Sequence, residues 1–184
     1  MAVFKNIIDI LRIFLGNIDS KEIPKKGSIT AIGGVIYYFA EYLLMVIAAA
    51  IVGFLRYYEW SVLEIFLILW PGNILVSYLI VRANDGSGVD FTFFQGYSRL
   101  TMQLPWENMA LKILGIIAAI PIVGFTIFWQ GAGPMVIFLK TRGHFKKEIL
   151  GIILLAVSGL QMGIWTWLYV LGYESISDLI YGLR

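Results

Sequence analysis

Apolar residues run through this chain in long blocks that charged residues hardly enter. Residues 29–55 are interrupted only by Glu41, and residues 60–81 only by Glu64. Residues 113–139 and 149–173 carry no charge at all. A bilayer's hydrocarbon core of about 30 Å needs roughly 20 apolar residues of helix. Within it a helix satisfies its backbone amides internally, which an irregular segment cannot do. The pattern predicts an all-α protein: a polytopic transmembrane helix bundle, integral to the lipid bilayer.

The block at 104–140 decides the number of spans. As one helix its uncharged core of 27 residues would be about 40 Å long, too long without strong tilt. As two helices it folds back at Ile120-Pro121-Ile122-Val123-Gly124, where proline and glycine suit a stop and a tight turn. The positive-inside rule separates the two readings. Five spans with a cytosolic N-terminus place eleven basic residues inside: Lys5, Arg12, Lys21, Lys25, Lys26, Arg82, Arg99, Lys140, Arg142, Lys146 and Lys147. Only Arg56 and Arg184 fall outside, while four spans give eight against five. Charge favours about five spans. The third, at 106–120, is short, and its Lys112 must snorkel to the interface.

Ahead of the spans, Val3, Phe4, Ile7, Ile8, Leu11, Phe14, Leu15 and Ile18 recur at helical spacing with the polar residues largely on the other face. That is an amphipathic helix lying in the membrane interface, or packed on the protein's own cytosolic surface. The interleaved charges and the lack of a small-residue cleavage site argue against a signal peptide. Residues 20–28 read as a basic linker broken by Pro24 and Gly27. The organisation is therefore 1–27, amphipathic helix and linker, and 28–184, the transmembrane domain.

Composition narrows the chemistry. Hydrophobic residues make up 59% of the 184 and charged residues 14%, against about 25% charged in soluble proteins. A net charge of +2 is too small to imply nucleic acid. With no cysteine and one histidine, His144, the chain cannot build thiolate catalysis, a Cys-ligated metal or a bis-histidine haem. No nucleophile–base pair, P-loop or H-E-x-x-H helix is present, so no catalytic residue, cofactor or metal site is expected. The loop 84–90 has two carboxylates but not the spacing of a calcium loop, and reads as a flexible turn.

Three groups of residues are candidates for function. Glu41 lies deep in the first span, where a carboxylate costs a few kcal/mol unless it faces the bundle interior or a wet cavity. It is either a proton or cation site or a neutral acid that fixes packing. Trp70-Pro71-Gly72-Asn73 and Gln130-Gly131-Ala132-Gly133-Pro134 predict breaks in the second and fourth spans. Interrupted helices with Asn73 and Gln130 beside them resemble transporter binding sites, or are kinks that neighbouring helices relieve. Gly159 and Gly163 form a G-x-x-x-G face, with Gly151 two turns earlier, suited to close helix association, within the chain first and between chains second.

From residue 84 to 173 the chain resembles the Yip membrane domain, the family of Ypt/Rab-interacting five-span proteins. The resemblance rests on Phe91-Thr92-Phe93-Phe94, Gly96-Tyr97-Ser98, Pro105 at a span entry, the 120–124 hairpin and the basic stretch 140–147. It implies five spans, a cytosolic N-terminus and a non-enzymatic role in membrane organisation. The long N-terminal region of eukaryotic members has no counterpart here, which puts GTPase association in doubt and suits a prokaryotic-type relative in a cell membrane. Two functions follow as expectations. The first is a subunit or organiser of a membrane assembly, partnered by another membrane protein or by its own copies. The second is a small transporter or channel component for an ion or small solute.

Overall fold

In a computed structural model, the chain is described for residues 9, 11–16, 19, 21–90, 92–103, 124, 128, 129, 131–143 and 145–182. The described residues are helical or in turns and loops, and none forms a strand. Among the described residues, three helices are long and apolar enough to cross a membrane: α1 (Ile23–Tyr57), α2 (Val62–Ser87) and, after two shorter helices, α5 (Lys147–Gly182). Between them come α3 (Phe94–Gln103) and α4 (Ala132–Thr141). These three helices fit an integral membrane protein. The predicted third span at 106–120 and the 120–124 hairpin fall almost entirely outside the described residues, as do Pro105 and His144.

Local chemistry fixes the helix ends. α1 starts at Ile23, so Pro24 sits in its first turn, where a missing N–H costs nothing. The expected linker break at Pro24 is thus a helix start. α1 closes at Tyr57, with Glu59 at φ +62° carrying the turn. Ser61 then begins α2 with a capping box: its Oγ accepts the Glu64 N–H at 3.3 Å, and the Glu64 carboxylate accepts the Ser61 N–H at 2.8 Å. Glu64 therefore sits in the first turn of its span, not within it. Gly88, at φ +62°, ends α2 in the left-handed conformation.

Two ion pairs set the helix directions. Arg56, at the end of α1, donates to Glu174 late in α5. Lys140, at the end of α4, donates to Asp85 at the end of α2. α1 and α5 thus run one way, and α2 and α4 the other. α3 joins the Lys140 end, where Ser98 Oγ donates to the Phe138 carbonyl at 3.1 Å and Tyr97 stacks on Phe138 at 5.8 Å. The described part of the N-terminal segment lies on α3. Residues 11–15 are helical, the Phe14 ring occupies the space a Cβ on Gly96 would take at 2.7 Å, and Arg99 donates to the Phe14 carbonyl at 3.3 Å.

The loop before α3 is more ordered than its glycine-rich sequence predicts. α2 extends through Ser87, and Asn84 and Asp90 are buried. The Asp90 carboxylate accepts the Gly96 N–H at 2.6 Å and the Thr92 hydroxyl at 3.2 Å. It caps α3, so the expected flexible turn is a fixed connection. Burial raises the Asp90 pKa more than these hydrogen bonds lower it. The folded state therefore holds this proton more tightly than the unfolded chain. Its stabilising effect is complete below the ordinary aspartate range, near about 4, and fades as pH rises through the raised value. Asp90→Asn should flatten that slope in thermal unfolding scans across pH, and Asp90→Ala should flatten it too while costing about 1–2 kcal/mol at acidic pH.

Among the described residues the core has two apolar halves. Val52, Ile65, Leu69 and Val170 pack near the Arg56 end. Ala132, Val136, Leu150 and Leu154 pack toward the Lys140 end. Between them lies a seam of polar side chains, with Ser77, Ser158 and Gln161 all buried.

Candidate functional site

α4 positions this seam. It has 10 residues, about 15 Å of helix, and rises from the Lys140 end, so its first turn opens about halfway through a core of about 30 Å. Phe128 and Trp129 have π-helical geometry, and Gly131 then adopts φ +83° and ψ −172° before α4 begins. Only glycine adopts that conformation readily. The break expected within residues 130–134 is seen at Gly131. The predicted interruption at Trp70-Pro71-Gly72-Asn73 is not seen, because α2 runs unbroken through Pro71. A proline removes one N–H and leaves one carbonyl, that of Leu67, without its helical partner. Its fixed φ is otherwise helical, so a helix held on both sides of it continues.

Side chains of α5 and α2 secure the interruption. Gln161 Nε2 donates to the Trp129 carbonyl at 3.4 Å, and Trp165 Nε1 to the Phe128 carbonyl at 2.6 Å. Asn73 Nδ2 completes the link across α2, with Gln161 Oε1 at 3.3 Å and the Ser158 carbonyl at 3.2 Å as acceptors. In an apolar medium an unmade hydrogen bond costs several kcal/mol, so this chain of amides is what lets the backbone leave helical geometry there. Gly133 brings α4 close to α2, since a Cβ on it would lie 3.1 Å from the Ser77 carbonyl oxygen.

Beside this network is a cavity of about 310 Å³ between α1, α2 and α5, with Trp129 and Gly131 at the interruption. Glu41 and Asn73, expected from sequence to be intramembrane polar sites, both line it. Gln130, the third, falls outside the described residues. Gln161 lines it instead, and sequence reasoning missed it by treating it only as the middle of the G-x-x-x-G motif. A signal was available: Ser158, Gln161 and Trp165 share one helical face of an uncharged span. The Tyr37 hydroxyl lies one turn from Glu41 and close to its carboxyl. No lysine or arginine is among the described residues around the cavity. No group of three or more His, Cys, Asp or Glu side chains among the described residues could hold a metal ion.

The candidate association face divides. A Cβ on Gly159 would lie 3.3 Å from the Trp70 ring, and one on Gly163 3.8 Å from Phe66, so both meet α2 of the same chain. Gly151 has nothing within 4 Å among the described residues. Comparison with protein-family models, curated proteins and solved structures finds no match for this chain.

Proposed function

We propose that the protein is a non-enzymatic membrane protein that binds and passes a small solute or ion through an intramembrane site, as a small transporter or channel component. The observation that carries this reading is the cavity itself. It sets a carboxyl group, with no basic partner among the described residues, beside an interrupted helix that we place at mid-membrane depth. Intramembrane ionisable residues and discontinuous helices mark solute and ion pathways. The amides of Asn73 and Gln161 are occupied in holding the interruption, which leaves Glu41 as the group free to exchange a proton or a cation.

The test is flux into vesicles. Purified protein in liposomes should pass protons or a monovalent cation above the rate of protein-free vesicles. Glu41→Gln keeps the size and most hydrogen bonds of the side chain. It should abolish the flux while the protein stays monodisperse. Flux unchanged in that variant removes Glu41 from the pathway.

The second reading, a subunit or organiser of a membrane assembly related to Yip proteins, draws on Gly151, a small exposed residue on α5 with room for another helix. A stable complex in mild detergent together with no flux would favour it.

Sidedness belongs to the same proposal. The basic residues cluster at the Lys140 end, which we assign to the cytosol, with the N-terminus, of a prokaryotic cell membrane. Single cysteines at Ser20 and Ser87 should resist an impermeant thiol reagent in intact cells, and one at Ser177 should react, in a chain with no native cysteine. Labelling at Ser87 from outside would reverse the assignment.

A further inference from the structure

The walls of the cavity say what kind of solute fits, and this step rests on the solute-binding reading above. Its lining is mostly apolar, with Leu44, Ile51, Leu69, Ile80 and Met162 among the residues around it. An occupant that keeps these walls dry needs an apolar body. Glu41 is the sole carboxylate among the described lining residues, and no described basic side chain balances it there. Among the described residues, the balancing charge is left to a proton or to the occupant.

A bare metal ion suits the site poorly. Calcium or magnesium calls for about six oxygen ligands, and one carboxylate with amides already bonded to each other does not supply them. The aromatic side chains point elsewhere. Trp129, Trp165 and Tyr169 all line the cavity. Trp165 is the hub, with ring centroids 5.4 Å from both Trp129 and Tyr169. Aromatic faces attract organic cations, most strongly where water is excluded. Trp165 is also locked in place by its bond to the Phe128 carbonyl, so this wall is ordered before any ligand arrives.

We infer that the cavity binds an organic monocation with an apolar body, a protonated or quaternary amine, whose charge is shared between the Glu41 carboxylate and the Trp129–Trp165–Tyr169 wall. Such a cation could be a free solute or the headgroup of a choline lipid, and both present the same chemistry to the site.

The experiment is calorimetric titration of the whole protein in phosphatidylglycerol nanodiscs with benzyltrimethylammonium, and with neopentylbenzene, its uncharged counterpart of the same shape. The cation should bind at least about tenfold tighter than the neutral compound. Glu41→Gln should erase that preference, and Tyr169→Leu, which retains an apolar side chain, should reduce it several-fold. Repeating the titration with phosphatidylcholine in the disc assigns the source. Competition identifies the lipid headgroup, and an unchanged affinity identifies a free solute. Equal binding of the two compounds, or a preference that survives in both variants, overturns the inference. Glu41-dependent proton or sodium flux without benzyltrimethylammonium binding would overturn the ligand class and leave the transport reading standing. No Glu41-dependent flux and no binding would remove both.

Discussion

Gly131→Ala should cost the protein about 2–6 kcal/mol of stability, seen as a lower unfolding temperature and a lost monodisperse peak on heating in detergent. Two effects add. At φ +83° and ψ −172° a side chain is strained by about 1–3 kcal/mol. The new Cβ would also lie 2.6 Å from Gln161 Oε1, and relieving such overpacking typically costs about 1–3 kcal/mol. Moving Gln161 aside is not free either, because its amide bonds to both Asn73 and the Trp129 carbonyl. The two effects can be separated. In Gly131→Ala/Gln161→Ala the clash is gone and the backbone strain remains, so the double variant should recover part of the loss relative to the sum of the single changes. Full additivity would mean that the new Cβ does not press on Gln161. On the proposed transport reading, solute flux should fall with the first variant even at temperatures where the protein stays folded, since the cavity wall includes Gly131.

This glycine also shows what could be read from the chain beforehand. The three long helices follow from the lengths of the uncharged blocks, because backbone in lipid has few alternatives. The interruption at Gly131 was legible from Gly131-Ala132-Gly133-Pro134, where glycine permits the conformation and proline suits the start of the next helix. The same reasoning applied to Pro71 predicted a break that does not exist. Proline and glycine composition marks where a helix can stop, and tertiary contacts decide whether it does. On α2, Trp70 lies against Gly159 and Asn73 bonds to α5, which holds the helix on both sides of Pro71.

The polar residues divide by kind. Glu41 was conspicuous as a charge in an apolar block, and it lines the cavity. Gln161 was hidden because a neutral amide leaves no mark on a charge count. Its importance comes from a partner 32 positions away in sequence, at the Trp129 carbonyl. Asp90 was misread for a related reason. Its role as the cap of α3 depends on reaching Gly96 across a loop, and loop composition alone suggested mobility. Asn73 was found for its place beside Pro71, although the backbone it helps to secure is that of the other interruption.

Gly159→Leu should damage the chain's own fold, whatever it does to association between chains. α2 and α5 meet with Trp70 over Gly159, the ring as close as 3.3 Å to where a Cβ would stand. Trp70 cannot simply swing away, because it is stacked on Phe66 at 5.4 Å. A leucine there needs the two helices to separate, at a cost of about 1–3 kcal/mol, and separation would also pull Asn73 from its acceptors on α5. Unfolding temperature should fall in purified monomeric protein and in any oligomer alike. Gly163→Leu should be milder, since its Cβ would sit at ordinary contact, 3.8 Å from Phe66. Gly151→Leu should leave unfolding unchanged, because no described residue lies within 4 Å of where its Cβ would stand. If a partner helix uses that open position, native mass measurement of Gly151→Leu will show a lost assembly with an intact monomer. Trp70→Ala added to Gly159→Leu makes room for the leucine and should restore part of the stability. A Gly159→Leu protein as stable as wild type, with only its oligomer weakened, would show that this glycine meets a second chain and not Trp70.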